Sequence, residues 1–163
     1  MVQAVSMQGL AIRWGTPEDV VALRDLYRRS SLSNDGDLAN LLAHPDALDF
    51  AGVSVLEGRT RVAIDGERIV GFATMRVHGV LAELDDLFVD PAWMRRGIGR
   101  RLIIDAAMVA RSEGITRIDV TANPHALDFY NAVGFVLDGV TETQFGAGHR
   151  MHLDVIARSD GAR

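Results

Sequence analysis

PAWMRRGIGRRL, residues 91–102, sets a proline, a run of arginines and a Gly-Ile-Gly directly in front of a stretch of helical period. A helix start exposes N–H groups that have no intrahelical partner and carries the positive end of the helix dipole, and both favour an anion. Gly97 and Gly99 put no side chain between such an anion and those groups, while Arg95, Arg96, Arg100 and Arg101 add positive charge around the same point. The stretch therefore reads as a cradle for a pyrophosphate. Glycines before helices are common, so the pattern alone is not specific, and Arg100 and Arg101 have a second reading as a solvated helix face.

The strand that leads into this stretch has a fault in its rhythm. In AELDDLFVDP, residues 82–91, the apolar positions Leu84, Leu87 and Val89 step by three and then by two, so strict alternation fails at Asp85-Asp86 unless one extra residue is accommodated. A β-bulge does this, and it twists a strand away from its neighbour. A wedge is expected between this strand and the one at residues 117–122, where an extended ligand could hydrogen-bond as a surrogate strand.

Composition removes several chemistries. The chain has no cysteine, which excludes disulfides, thiolate metal sites and a cysteine nucleophile. All 17 basic residues are arginine, so a P-loop lysine and Schiff-base chemistry are excluded as well. The formal net charge of -5 argues against nucleic-acid binding, which needs positive charge to displace counterions. No apolar run approaches a membrane span and no signal core is visible at the start, so a cytoplasmic protein without membrane association is expected. At 163 residues and 48% hydrophobic content, residues 1–163 are read as one domain, with 1–9 and 157–163 as flexible ends.

The elements can be placed in order. Leu10 to Trp14 reads as a strand; Thr16, Pro17, Glu18 and Asp19 start a helix that runs to about Arg29. Asp35 to Ala43 reads as a second helix stopped before Pro45, and residues 44–52 as loop. Thr60 to Ile64, Arg68 to Val77 and Val80 to Val89 alternate around Asp65-Gly66-Glu67 and His78-Gly79, which predicts three antiparallel strands. A helix from Gly97 to Glu113 follows, capped by Gly114, then a strand from Arg117 to Ala122. Asn123-Pro124 opens a helix to about Ala132, and Phe135 to Thr143 and His149 to Val155 close the chain as two strands around a turn at Gly146 to Gly148. The result is a mixed α/β layer.

Two motifs in this order make the chain resemble the Gcn5-related N-acetyltransferase (GNAT) family. The first is Leu87-Phe88-Val89-Asp90-Pro91 followed by Met94-Arg95-Arg96-Gly97-Ile98-Gly99, similar to the family's acyl-CoA signature, with Met94 where the family usually has Gln or Arg. The second is NPHALDFYNAVGF, residues 123–135. The resemblance runs from about Leu10 to Val155. It implies an α/β (α+β) fold with a mixed, mostly antiparallel sheet of six to seven strands, about four helices and a split between the fourth and fifth strands. It also implies acetyl-CoA as co-substrate, no metal, and direct transfer of an acetyl group to a primary amine in a ternary complex. A non-catalytic acyl-CoA sensor and a protein N-acetyltransferase are the alternatives. Many members are dimers, so a homodimer is compatible with the resemblance.

By the same resemblance, pantetheine would pair near Leu87, Phe88 and Val89, and the pyrophosphate would meet the backbone of Arg95 to Gly99, with Arg100 beside it and Arg95 or Arg96 replacing the polar contact that Met94 lacks. Asn123 matches the position that contacts the coenzyme arm; a helix cap is its other reading, and the two are compatible. Tyr130 matches the general acid that protonates the coenzyme sulfur; its other role would be core packing beside Phe129. Glu83 stands where some members carry a general base, and a solvated strand glutamate is its other reading. The Val89 N–H would be the donor for the acetyl carbonyl. The acceptor side would be lined by residues 30–50 and 141–149, with Asp35, Asp37, Asp46, Asp49 and Glu142, an acidic set that suits a cationic amine and has solvated surface as its other reading. His149 and His152 are three apart on a strand and face opposite ways, which argues against a metal pair; His44, His78 and His125 stand alone.

Overall fold

The computed structural model describes residues 9–33, 38–43, 46, 50, 52–144 and 146–155. The strands are β1 (Leu10–Trp14), β2 (Thr60–Asp65), β3 (Arg68–His78), β4 (Leu81–Val89), β5 (Arg117–Ala122), β6 (Val136–Thr143) and β7 (Gly146–Asp154). They form a seven-stranded sheet in the order β1-β2-β3-β4-β5-β7-β6. The helices are α1 (Val20–Leu32), α2 (Leu38–Ala43), α3 (Val53–Leu56), α4 (Ile98–Ser112) and α5 (Leu127–Ala132). Short 3-10 turns at Pro17–Asp19, Pro91–Trp93 and Pro124–Ala126 each start on a proline, whose fixed φ suits a helix entry.

The chain divides into two compact units, residues 1–74 with 86–102, and residues 75–85 with 103–163. In the first, β1 pairs antiparallel with β2 and β2 with β3. The helical stripe of α1 buries Leu23 and Leu26 in a cluster with Phe50, Val55, Val62 and Phe72. Phe88, near the end of β4, extends this core: its ring lies edge-on to Tyr27 at 4.9 Å and tilted against Phe72 at 5.5 Å. Gly71 of β3 lets the first turn of α4 come close. A Cβ there would sit 3.0 Å from the Phe88 carbonyl oxygen and 3.2 Å from methyls of both Ile98 and Leu102.

In the second unit, β4 pairs in parallel with β5 from Leu81↔Arg117 to Leu84↔Val120. This ladder ends at Leu84, halfway along β4. The rhythm of burial along β4 breaks there too: exposed and shielded residues alternate from Leu81 to Asp85, and the alternation is gone from Asp86 to Val89. On the far side β5 pairs antiparallel with β7, and β7 with β6. Ile118 and Val120 of β5 and Met151 of β7 are buried, as are Ile103, Ala106 and Ala110 of α4.

Several boundaries differ from expectation. The first helix continues three residues past Arg29, and α2 is described only from Leu38, Asp35 to Asp37 lying outside the described residues. Residues 53–59, between the expected loop and the next strand, carry α3, a single turn whose Val55 is part of the first unit's core. The largest correction is at the last hairpin. Gly146 to Gly148 is not a turn but the start of β7, in register Thr143↔Gly146 and Thr141↔Gly148. Glycine is needed at 148 for space: a Cβ would lie 2.6 Å from Thr121 Cγ2 and 2.8 Å from Thr143 Cγ2.

Candidate active site

The residues singled out from the sequence fall into two groups, one in each unit. In the first unit β4 delivers Leu87, Phe88 and Val89, all partly buried, to a turn fixed by Asp90. Asp90 is 2% exposed. Its N–H donates to the Val70 carbonyl at 2.8 Å, its Oδ1 accepts from the Ala92 N–H at 3.0 Å, and its Oδ2 accepts from Arg29 Nη2 at 3.0 Å and Arg68 Nη2 at 3.4 Å. Burial pushes this carboxyl up, but the Ala92 N–H and the guanidinium groups of Arg29 and Arg68 outweigh it and hold the group below the usual aspartate value. An aspartate before Pro-Ala-Trp is a recognisable cap signal in the sequence, and the Asp90 side chain accepts from the Ala92 N–H as such a cap does.

Beyond this turn the backbone alternates in hand. Arg95 has φ 63 and Gly97 φ 77, and Arg95 is the one non-glycine residue with positive φ among those described. Successive N–H groups in such an alternation converge into a concavity that suits an anion. Nothing lies within 4 Å of where a Gly97 Cβ would be, so the approach to the loop is open at that point. Ile98 is buried and anchors the first turn of α4, where the Arg101 N–H donates to the Gly97 carbonyl at 3.0 Å. Met94 is 44% exposed.

The arginines of the loop are used differently. Arg96 lies over the Trp93 ring at 4.9 Å, and Arg101 Nη2 donates to the Leu10 carbonyl at 3.3 Å. Arg95 and Arg100 are exposed and make no ion pair among the described residues. An oxyanion at the loop would thus find free backbone donors and uncommitted cations, which fits a pyrophosphate.

The second unit holds Glu83, Asn123 and Tyr130. Tyr130 is 8% exposed and packs edge-on against Phe129 at 5.1 Å and Phe135 at 5.2 Å, so its ring does fill core, with the phenol carried at the end of a fixed ring. Asn123 occupies the cap position of the turn Pro124–Ala126, yet its side chain makes no capping hydrogen bond there. The Glu83 carboxylate is paired with Arg150, Nη1 to Oε1 at 2.6 Å and Nη2 to Oε2 at 3.2 Å. Arg150 was missed from the sequence because it is 67 residues from Glu83.

Of the acceptor-side acids, Asp46 and Glu142 are exposed, while Asp35, Asp37 and Asp49 lie outside the described residues, as does His44. His152 shares its Nδ1 with Asp138 at 2.7 Å, and the buried His149 Nδ1 has no partner among the described residues. No group of three or more His, Asp or Glu that could hold a metal ion occurs among the described residues.

Comparison with known proteins adds to this geometry. The profile of the acetyltransferase (GNAT) family matches residues 20–135. Glucosamine 6-phosphate N-acetyltransferase of Trypanosoma brucei brucei is 29% identical over 75 residues, 42% of this chain and 51% of the relative, so the chain spans about half the length of this curated relative. Among solved structures, a GCN5-related N-acetyltransferase from Rhodopseudomonas palustris superposes with a TM-score of 0.74 at 24% identity, covering 91% of this chain and 98% of its own. A PaiA N-acetyltransferase from Thermoplasma acidophilum, solved with coenzyme A, gives 0.72 at 19% identity, covering 89% and 98%. At these identities the structural likenesses speak for the fold.

Proposed function

Because the chain belongs to the acetyltransferase (GNAT) family, we propose that it is an N-acetyltransferase that moves an acetyl group from acetyl-CoA directly to a primary amine of a small molecule or peptide. The observation that carries this reading is the loop of alternating hand at Arg95 and Gly97, open in front of Gly97 and running into α4. In this reading the N–H groups of Arg95 to Gly99 hold the coenzyme pyrophosphate, Arg95 and Arg100 add charge, and the Met94 side chain contributes no polar contact. The buried Ile98 takes part through its backbone alone. Leu87, Phe88 and Val89 offer main-chain groups to the pantetheine, and Asn123 meets the coenzyme arm.

The chemistry follows from these assignments. The amine nitrogen bonds to the acetyl carbonyl carbon, the carbon–sulfur bond breaks, and the sulfur leaves with the electron pair. The Val89 N–H stabilises the carbonyl oxygen as it becomes negative, which is where a fixed donor contributes most. Tyr130 gives its phenolic proton to the departing sulfur, and Glu83, directly or through water, takes the proton that the ammonium must lose. Acetyl-CoA is a metabolite of the cell interior, so the reading carries a cytoplasmic address with it.

The test is thiol release from acetyl-CoA across polyamines, amino acids, aminoglycosides, arylamines, phosphorylated amino sugars and N-terminal peptides, with Tyr130→Phe alongside. Turnover on one class, lowered about 100-fold or more in kcat by Tyr130→Phe, is expected for a lost general acid. Unchanged turnover in the variant would remove Tyr130 from the mechanism. The exposed Met94 at a position where the family signature usually places Gln or Arg supports a second reading, a non-catalytic acyl-CoA sensor. Tight coenzyme binding with no thiol release across the panel is its signature.

A further inference from the structure

Glu83, Thr121 and Arg150 come from β4, β5 and β7 and meet within the second unit. Arg150 Nη1 donates to Glu83 Oε1 at 2.6 Å and to Thr121 Oγ1 at 2.7 Å, and Nη2 donates to Glu83 Oε2 at 3.2 Å. A guanidinium has five N–H donors, and these bonds use three of them. The Nε–H and the second hydrogen of Nη2 have no acceptor among the described residues. They lie along one edge of the planar group, and that edge has the spacing that pairs bidentately with a carboxylate or a phosphate.

The arginine is held so that this edge stays presented. Its end is clamped by Glu83 and Thr121, and Thr121 is itself packed where Gly148 has no side chain, its Cγ2 lying 2.6 Å from the position a Cβ would take. The Arg150 side chain keeps 36% of its surface and Glu83 keeps 22%. Asp119 and Asp138 also act on Arg150, but Arg117 binds both of them, at 2.7 and 3.1 Å, and His152 binds Asp138 as well. Glu83 accepts one bond at each oxygen from Arg150, and a carboxylate has room for about four.

The geometry points to an acceptor amine that carries an acidic group close to its nitrogen: the ammonium meets Glu83 and the carboxylate or phosphate takes the open edge of Arg150. Arg150 is thereby the residue that selects the acceptor. The inference rests on the transferase reading and on Glu83 facing the amine.

Its test compares matched amines that differ only in the acidic group, an α-amino acid against its amide and an aminoalkyl phosphate against the amino alcohol, on the full chain, Arg150→Gln and Arg150→Lys. The acid-bearing member is expected to lead by about tenfold or more in kcat/KM, chiefly through KM, as charge-assisted hydrogen bonds predict. Arg150→Gln should erase the lead, and Arg150→Lys, with the charge but not the fork, should retain part of it. Coenzyme affinity by calorimetry and the melting temperature should stay level, showing that the variants fold. The carboxylate and phosphate pairs separately tell which acid is taken. If no amine is acetylated, the same pairs are compared by calorimetric binding: preferential binding of the acidic members sustains the inference while the transferase reading fails. Equal behaviour of matched members, a preference that survives Arg150→Gln, or no binding in any arm overturns it.

Discussion

Asp90 and Glu83 are both strand-associated carboxylates gripped by arginine, one just past the end of β4 and one near its start, and they do opposite things. Asp90 is 2% exposed, and its oxygens are taken by the Ala92 N–H, Arg29 and Arg68. Glu83 keeps 22% of its side-chain surface and has Arg150 as its ion-pair partner. In the first case the carboxylate fixes a backbone turn, and removing its two exposed arginine partners would strand it away from water. In the second, solvent screens the pair and unfilled hydrogen-bonding capacity remains on both partners. An ion pair becomes scaffold or site according to how much of its bonding capacity the protein has already used.

The sharpest way to break this contrast is the double substitution Arg29→Ala with Arg68→Ala, which should cost about 3–5 kcal/mol because it leaves the buried Asp90 carboxylate without an ion partner. Urea denaturation measures it, and a loss below about 1 kcal/mol would put Asp90 with ordinary surface pairs. The same carboxyl should show in acid. Its folded value is depressed, so its contribution is complete above the unfolded aspartate value, about 3.9, and is lost as pH falls through the lower folded value. The denaturation midpoint of Asp90→Asn should accordingly fall less steeply than that of the parent below about pH 4.

A smaller effect is expected from Gly71→Ala, about 1–3 kcal/mol from overpacking, because the new methyl meets the Phe88 carbonyl and the first turn of α4. The shift should also weaken coenzyme binding, read by calorimetry, since that turn carries the loop. Full stability with normal affinity would mean that the loop does not depend on this close approach. Smallest of all should be Arg117→Ala on the half-open face, below about 1 kcal/mol and shrinking further in high salt, although it removes pairs to both Asp119 and Asp138. A loss as large as that of the Arg29 and Arg68 double substitution would erase the distinction between a buried carboxylate and a half-open pair.

How much could be read beforehand follows the range of the forces involved. β1 and β5 have the ends read from their residues, because alternation and the flanking Gly and Asn-Pro are local signals. The loop at residues 94–99 was legible for the same reason: a helix start, glycines and arginines lie side by side. Gly146 to Gly148 was misread because glycine serves a turn and a crowded strand equally well, and only the methyls of Thr121 and Thr143 decide between them. α3 was missed since Val53–Leu56 has strand-like composition and owes its place to Val55 in the core. Asp90 and Arg150 were invisible as partners because Arg29 is 61 residues from Asp90 and Glu83 is 67 from Arg150.

The strand order β5-β7-β6 sets a timetable for assembly. β6 is made before β7, yet β7 is the strand that lies against β5. During synthesis β5 therefore waits with one edge unpaired until the chain has been extended through Asp154. The β6–β7 hairpin, closed by the short link between Thr143 and Gly146, can then form within about 1–10 μs and dock as a ready-made pair. Until then, an exposed β-edge in the nascent chain is the place where a chaperone or a neighbouring nascent chain would engage first.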